Sequence, residues 1–212
     1  MKTKIYNLII LDESGSMSSI KQETINGFNE TIQTIKSAQI KHQNQEHFVS
    51  LITFNGDEIK TIYDKCKSDT CNELTDKLYQ PNCSTPLYDA IGMSVSSLKS
   101  FLSDQSNYTV LVTIITDGEE NNSKEFKGEM IRDMIDELKQ AGWIFTYIGA
   151  NHDVEKFAMS ISIESFMEFT SNAEGTSTMN EKNCQTRSRA YSRLSHGLGS
   201  ESLNIGFFSE EE

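Results

Sequence analysis

Five side chains that could bind a cation through oxygen stand in three short motifs: Asp12, Ser14 and Ser16 in "DESGS", Thr85 in "STPLYDAI", and Asp117 in "TIITDGEENN". Alternate residues of an extended segment project to the same side, so Ser14 and Ser16 can face one ligand. Two carboxylates and three hydroxyls make an all-oxygen set, which suits hard divalent cations such as Mg²⁺ or Mn²⁺. The motifs therefore predict a single divalent metal site.

Each of the two acids follows a run of aliphatic residues. Residues 5–11 precede Asp12, and residues 108–115 precede Asp117. Because the apolar residues of the first run are continuous and do not alternate, it is predicted to be a strand buried on two faces. The valines, isoleucines and threonines of the second run predict a central strand. In an open parallel sheet, ligands bind beyond the carboxyl ends of the central strands. We therefore expect the two acids to be neighbours, with Thr85 facing them from the start of the following helix.

The remaining chain alternates between helical and extended patterns. Apolar spacings of three and four predict helices over 18–39, 87–101 and 154–159, and apolar runs predict strands over 48–54, 59–63, 143–148 and 165–169. Asn122 and Glu125 are expected to form a capping box for a further helix that ends at Gly142. The turn after residue 54 predicts an antiparallel hairpin.

These elements predict the fold class. We expect an α/β, doubly wound, Rossmann-like fold with a mostly parallel central sheet, one antiparallel edge strand and helices on both faces. Residues 1–170 are predicted to form the domain, and residues 171–212 a C-terminal extension that consists of a helix packed on the domain and an acidic tail. No apolar run is long enough for a membrane span.

Charge and cysteine content limit the function classes. The 212 residues carry a formal net charge of -12, which disfavours nucleic acids and anionic lipids and favours protein or cation partners. The four cysteines show no zinc-site spacing and are expected to be reduced thiols of a cytoplasmic protein. The four histidines are scattered and are expected at the surface or in loops.

The three motifs together resemble the metal-ion-dependent adhesion site of von Willebrand factor A domains, here of a bacterial-type, stand-alone kind. The resemblance covers about residues 5–169 in element order. It implies a bound Mg²⁺ or Mn²⁺ with an open coordination position that a Glu or Asp carboxylate of a partner protein fills. The five site residues would then be Asp12, Ser14, Ser16, Thr85 and Asp117, and the domain would be a binding module with no enzymatic activity.

The sequence departs from the family pattern at two points. "MSSI" after Ser16 lacks the acids of a second, adjacent metal site, so one ion is expected. Cys83-Ser84 stands before Thr85 where many family members have glycine, which predicts a different loop path at this ligand. Glu13, Glu119 and Glu120 are expected to be solvated. A further hypothesis places the tail carboxylates of Glu210, Glu211 and Glu212 in the open metal position.

Ordinary turns and a different class of metal site are also compatible with these motifs. Asp-x-Ser-x-Ser after a strand is typical of an Asx turn that caps a helix, and "TDG" is a common turn. A metal-dependent phosphohydrolase would also place an aspartate after the first strand, but it requires a second carboxylate where Ser14 stands. The sequence contains neither a serine-hydrolase elbow nor a phosphate-binding glycine loop.

Overall fold

The computed structural model describes residues 2–209, which form a six-stranded sheet with helices on both faces. The strands are β1 (Thr3–Asp12), β2 (Gln45–Phe54), β3 (Ile59–Lys67), β4 (Tyr108–Thr116), β5 (Ile144–Gly149) and β6 (Phe166–Glu168). Their order is β3-β2-β1-β4-β5-β6, and every neighbouring pair is parallel except β2 and β3. The predicted doubly wound sheet with one antiparallel edge strand is confirmed.

Six α-helices surround this sheet: α1 (Lys21–Lys41), α2 (Leu87–Leu102), α3 (Gly128–Gln140), α4 (Val154–Ser160), α5 (Ala173–Ser195) and α6 (Ser200–Gly206). A 3₁₀ helix, Gly15–Ile20, precedes α1. Side chains of β1 alternate between two hydrophobic clusters. Ile9 and Leu11 pack in the cluster of α1 and α5, whereas Leu8 and Ile10 pack in the cluster of α2, α3 and α4. Burial on both faces explains the continuous apolar run of β1.

The strand order reverses between β1 and β4, the two central strands. Leu11 of β1 is paired with Ile115 of β4, so the residues that follow them lie side by side at one edge of the sheet. The helices that follow β1 and β4, α1 and α3, pack in opposite clusters, which leaves a crevice between the loops that connect them to the strands. Asp12 and Asp117 both lie at this crevice, as the strand pattern predicted.

The start of α3 differs from the predicted one. The helix begins at Gly128 after Lys127, and its N-cap makes no side-chain hydrogen bond. The predicted capping box of Asn122 and Glu125 is therefore wrong. Both residues belong to a loop before the helix, and Asp89 of α2 accepts main-chain N–H groups of this loop. Gly142 does follow the helix end with a φ of +85°, the left-handed conformation expected of a C-terminal glycine.

One of the four histidines lies in the core, contrary to the prediction. His47 in β2 is fully buried, and its ring packs edge-on against Tyr191 of α5 at 4.6 Å between centroids. Next to it, the buried guanidinium of Arg187 donates to Thr113 Oγ1 at 2.7 Å and to Asn7 Oδ1 at 3.4 Å. This polar layer lies between α5 and the sheet.

The described part of residues 171–212 packs on the sheet through α5 and α6. Tyr191, Phe207 and Phe208 belong to the same hydrophobic cluster as strand residues. The Asn204 amide accepts the main-chain N–H of Phe145 at 2.9 Å and donates to the main-chain oxygen of Trp143 at 2.8 Å. Glu210, Glu211 and Glu212, of the tail hypothesis, lie outside the described residues. Among residues 2–209, no helix has the length and apolar character that crossing a bilayer requires.

Candidate metal centre

Asp12 ends β1 as a fully buried carboxylate. Its Oδ1 accepts the main-chain N–H of Ser14 at 2.7 Å, and its Oδ2 accepts the hydroxyl of Thr116 at 2.5 Å. The hydroxyl of Tyr79 donates to the main-chain oxygen of Asp12 at 2.6 Å. Burial raises the pKa of Asp12 to about 6, and the negative charge of Asp117 adds to this effect. The carboxylate is thus oriented before any ligand arrives.

A chain of hydroxyls connects the first motif to the second acid. Ser14 Oγ and Ser16 Oγ lie 3.1 Å apart, and Ser16 Oγ donates to Asp117 Oδ1 at 2.5 Å. Ser14 and Asp117 are buried, whereas Ser16 is exposed. Both hydroxyls lie on one side of the loop, although Ser16 belongs to the 3₁₀ helix Gly15–Ile20 and not to the extended segment that the prediction assumed.

Two reciprocal hydrogen bonds with Asn121 hold Thr85 at the same crevice. Its main-chain N–H donates to Asn121 Oδ1 at 2.9 Å, and the Asn121 N–H donates to the Thr85 main-chain oxygen at 3.1 Å. A Cβ built on Gly118 would lie 3.6 Å from both Thr85 Oγ1 and Ser16 Oγ. The two hydroxyls therefore flank one small space beside Asp117, and the structure brings all five predicted residues together.

Cys83 makes the turn that carries the chain to Thr85. Its φ of +62° lies in the left-handed region that favours glycine, which is the residue many family members have in this stretch. Gly15 N–H donates to the Cys83 main-chain oxygen at 3.0 Å, and the Cys83 thiol donates to Asp57 Oδ2 at 3.1 Å. A cysteine thus adopts this conformation despite its Cβ, and Thr85 faces the crevice; the different loop path stays a prediction.

Besides Tyr79, sequence reasoning missed three residues that hold the acids from the ends of strands. Thr116 orients Asp12, Ser171 donates its hydroxyl to Asp117 Oδ2 at 3.1 Å, and the amide of Asn151 donates to the Asp117 main-chain oxygen at 3.2 Å. Each is a polar residue at or just beyond the carboxyl end of a strand. That position is the signal that could have identified them, since these strand ends share one edge of the sheet.

Two of the three acids expected to be solvated are structural. Glu13 is buried, and its carboxylate accepts the main-chain N–H of Gln80. Glu120 accepts the main-chain N–H groups of Asn122 and Ser123, at 2.9 and 2.7 Å. The prediction was wrong for both residues because loop N–H groups far from helix or strand partners need an acceptor. Glu119 is exposed.

The donor set fits a hard divalent cation. Asp12 and Asp117 are buried, yet among residues 2–209 no lysine, arginine or histidine forms an ion pair with either acid. Two neighbouring buried carboxylates without a counter-charge are unfavourable unless a cation accompanies them. Within the described chain no three His, Cys, Asp or Glu side chains converge on a metal position, because the remaining donors here are hydroxyls. Such oxygen donors favour Mg²⁺ or Mn²⁺ over zinc.

Comparisons with known proteins agree with this architecture. The family model of the von Willebrand factor type A domain matches residues 8–182. A search of curated proteins gave no significant match. Among solved structures, proximal thread matrix protein 1 from the mussel byssus matches with a TM-score of 0.56 and 14% identity over 88% of this chain and 46% of its own. The pilus adhesin SpaC from Lactobacillus rhamnosus GG matches with a TM-score of 0.62 and 12% identity over 90% of this chain and 31% of its own.

A third solved structure is the manganese-loaded TRAP protein of Plasmodium vivax, with a TM-score of 0.54 and 14% identity over 84% of this chain and 71% of its own. This chain spans less than half the length of the mussel and SpaC proteins. At these identities the structural matches show the shared fold alone. The family model covers most of the chain, and it establishes the relationship. The chain belongs to the von Willebrand factor type A domain family.

Proposed function

We propose that this domain binds partner proteins through a Mg²⁺ or Mn²⁺ ion, in a metal-ion-dependent adhesion site of five residues: Asp12, Ser14, Ser16, Thr85 and Asp117. The observation that carries the proposal is the pair of buried acids without a cationic partner among the described residues, connected by hydroxyls. When bound, the ion supplies an open coordination position that attracts a carboxylate of the partner. Family membership and the manganese-loaded TRAP relative support this assignment.

The surrounding residues hold the donors in place. The Thr116 hydroxyl and the Ser14 N–H each donate a hydrogen bond to one oxygen of Asp12, and the Ser171 hydroxyl donates to one oxygen of Asp117. Their hydrogen bonds fix the direction in which the remaining lone pairs point, which is how outer residues raise metal affinity. The other three donors are neutral hydroxyls, so the charge of a dication is balanced by two acids only. Those two acids neutralise the ion formally, and an external carboxylate would fill the open position as a ligand that a hard cation prefers to water.

The proposed partner is a protein that offers a glutamate or aspartate, and the domain acts as a binding module and not as an enzyme. Adhesins such as SpaC share the fold. The net charge of -12 opposes nucleic acids as partners. We also propose a cytoplasmic location, which the four free thiols favour.

Metal binding is tested by thermal unfolding with MnCl₂ or with EDTA. We expect Mn²⁺ at a hundredfold excess over its Kd to stabilise the wild type by about 3 kcal/mol. Asp12→Asn and Asp117→Asn should abolish this gain, measured for each variant against its own stability in EDTA. Asp136→Asn, at an exposed position of α3, is the matched control. An equal Mn²⁺ effect in all variants contradicts the proposal.

Carboxylate recognition is tested with a library of synthetic peptides of equal length that carry one fixed central glutamate. A second library, identical except for a fixed central glutamine, is the control. We expect binding in Mn²⁺ that is lost in EDTA, in the glutamine library and in Asp12→Asn. Equal binding of both libraries would contradict the proposed role of the ion. Steady release of phosphate from an aryl phosphate would instead indicate the phosphohydrolase alternative.

A further inference from the structure

A groove of about 470 Å³ lies between α2 and the edge formed by β2 and β3. Its lining includes Leu8 and Ile52 from the strands and Met93 and Leu98 from α2. Met93 is 42% exposed, and part of its exposed side chain lines this groove. An exposed methionine in a concave surface is typical of sites that receive a variable apolar side chain. The groove therefore offers apolar contact area that the folded domain does not use.

One end of the groove adjoins the candidate metal centre. Gly56 and Asp57, of the turn between β2 and β3, line it together with Pro86, which directly follows Thr85. Asp57 also accepts the Cys83 thiol at 3.1 Å, so this turn contacts the loop that carries Thr85. The Cys83–Pro86 segment lies between the metal centre and the groove, so a chain segment bound at the metal centre enters the groove by passing over Pro86.

A buried polar group in the groove has no partner. Ser94 of α2 lines the groove and is 7% exposed, and its hydroxyl makes no hydrogen bond with the described residues. An unpartnered buried hydroxyl is unfavourable, and most helical serines avoid this by bonding to the preceding turn. The Ser94 hydroxyl is therefore a polar group beside the groove that the folded domain leaves without a hydrogen bond.

The charges of the groove differ between its two ends. At the far end, Asp64 pairs with Lys65, whose ammonium lies 4.8 Å from the ring centroid of Phe101. At the end next to the metal centre, Asp57, Glu58 and Lys124 are exposed and line the groove, and none of them forms an ion pair within residues 2–209, so the two acids outnumber the one cation. A positively charged side chain is therefore complementary to this end.

We infer that the partner segment which supplies the acidic residue runs on through this groove in an extended conformation. Next to its acid it carries a lysine or arginine that faces Asp57 and Glu58, and further along an apolar side chain that contacts Met93 and Leu98. This inference rests on the proposed function and names the chemistry of the partner for the same site.

The test uses the glutamate-centred peptide library on the full chain in Mn²⁺. We expect the bound peptides to be enriched in lysine or arginine close to the glutamate, on the same side as an enriched apolar position. Met93→Asp should weaken the best of these peptides at least tenfold, whereas Met130→Asp should not. Met130 is 48% exposed on α3 and does not line the groove, which makes it a matched control.

A charge reversal tests the basic position separately. Glu58→Arg should remove the enrichment in lysine and arginine, while Glu129→Arg, on the exposed side of α3, should leave it unchanged. Peptides that bind through Mn²⁺ and Asp12 but are insensitive to Met93→Asp and Glu58→Arg would overturn the groove inference alone. Loss of Mn²⁺ stabilisation from the wild type would overturn the proposed function, and the two failures are thus distinguishable.

Discussion

The Thr116 hydroxyl donates to Asp12 Oδ2 at 2.5 Å and joins the ends of the two central strands. Because Thr116 orients the acid without belonging to the proposed ligand set, Thr116→Val should lower Mn²⁺ affinity about tenfold. Titration calorimetry with MnCl₂ measures this change. Thr53→Val is the control, since the buried Thr53 hydroxyl has no partner among the described residues. It should leave the affinity unchanged and stabilise the fold; a similar loss of affinity in both variants would contradict the role of Thr116.

Asp89 of α2 holds the loop that follows Asp117. It accepts the main-chain N–H groups of Lys124, Glu125 and Phe126 at 2.7, 2.9 and 2.7 Å. Asp89→Ala should therefore lower the free energy of unfolding by about 3 kcal/mol, and Asp89→Asn by less, because the amide oxygen still accepts. Urea denaturation measures both values. Asp136→Ala, at an exposed helical site, should stay within about 0.5 kcal/mol of the wild type.

His47 makes the stability of the domain sensitive to acid. Burial lowers its pKa to about 3, and the positive charges of His42 and Arg187 add to this shift. A histidine of the unfolded chain has a pKa of about 6.5, so the unfolded state takes up the proton first as the pH falls. The stabilisation is complete above about pH 6.5 and is lost as the pH falls towards 3, with a loss of about 2 kcal/mol by pH 5.

The measurement that isolates His47 is urea unfolding of the wild type and His47→Phe over this pH range. The phenylalanine keeps an aromatic ring against Tyr191 but leaves Gln45 Oε1 without its 3.0 Å contact to the imidazole. We expect lower stability at neutral pH and a weaker dependence on pH. His196→Gln, at an exposed position after α5, should keep the wild-type dependence. An unchanged slope in His47→Phe would contradict the proposed role of its burial.

Cys83 has a conformation in which glycine is favoured. Its φ of +62° is unfavourable for a residue with a Cβ. Cys83→Gly should therefore be about 1 kcal/mol more stable than Cys83→Ala in chemical denaturation, although both lose the thiol contact to Asp57. Gln33, exposed in the middle of α1, provides the opposite case: there glycine should be about 1 kcal/mol less stable than alanine. The same sign at both positions would rule out backbone strain at Cys83.

The strand ends of the candidate site were predictable because a strand that is buried on both faces appears in the sequence as a continuous apolar run. The continuous apolar runs before Asp12 and Asp117 identify two central strands, and parallel pairing then places the acids together. The two-residue spacing of Ser14 and Ser16 also indicated that their hydroxyls face the same side of the loop. Those local patterns were sufficient for the core of the site and for the fold class.

The errors concern groups whose partners are distant in sequence. Asn122 and Glu125 match a capping box, but Asp89 accepts the N–H groups of that loop from a different helix. His47 has no local feature that distinguishes it from a surface residue, and its burial depends on α5 covering the sheet. Ser171 reaches Asp117 only because the chain returns to the same edge of the sheet after β6.

The packing of α6 shows that the folded core continues past the residues that match the family model. Similarity to the family stops at residue 182, inside α5, yet Phe207 and Phe208 fill the same cluster as Ile144 of β5, and the Asn204 amide completes the hydrogen bonds at the start of that strand. A chain that ends at residue 182 would have a cavity where Phe207 and Phe208 pack, and the main-chain groups of Trp143 and Phe145 would lose their hydrogen bonds to Asn204. The folded unit therefore extends at least to Phe208, well past the residues that the family model matches.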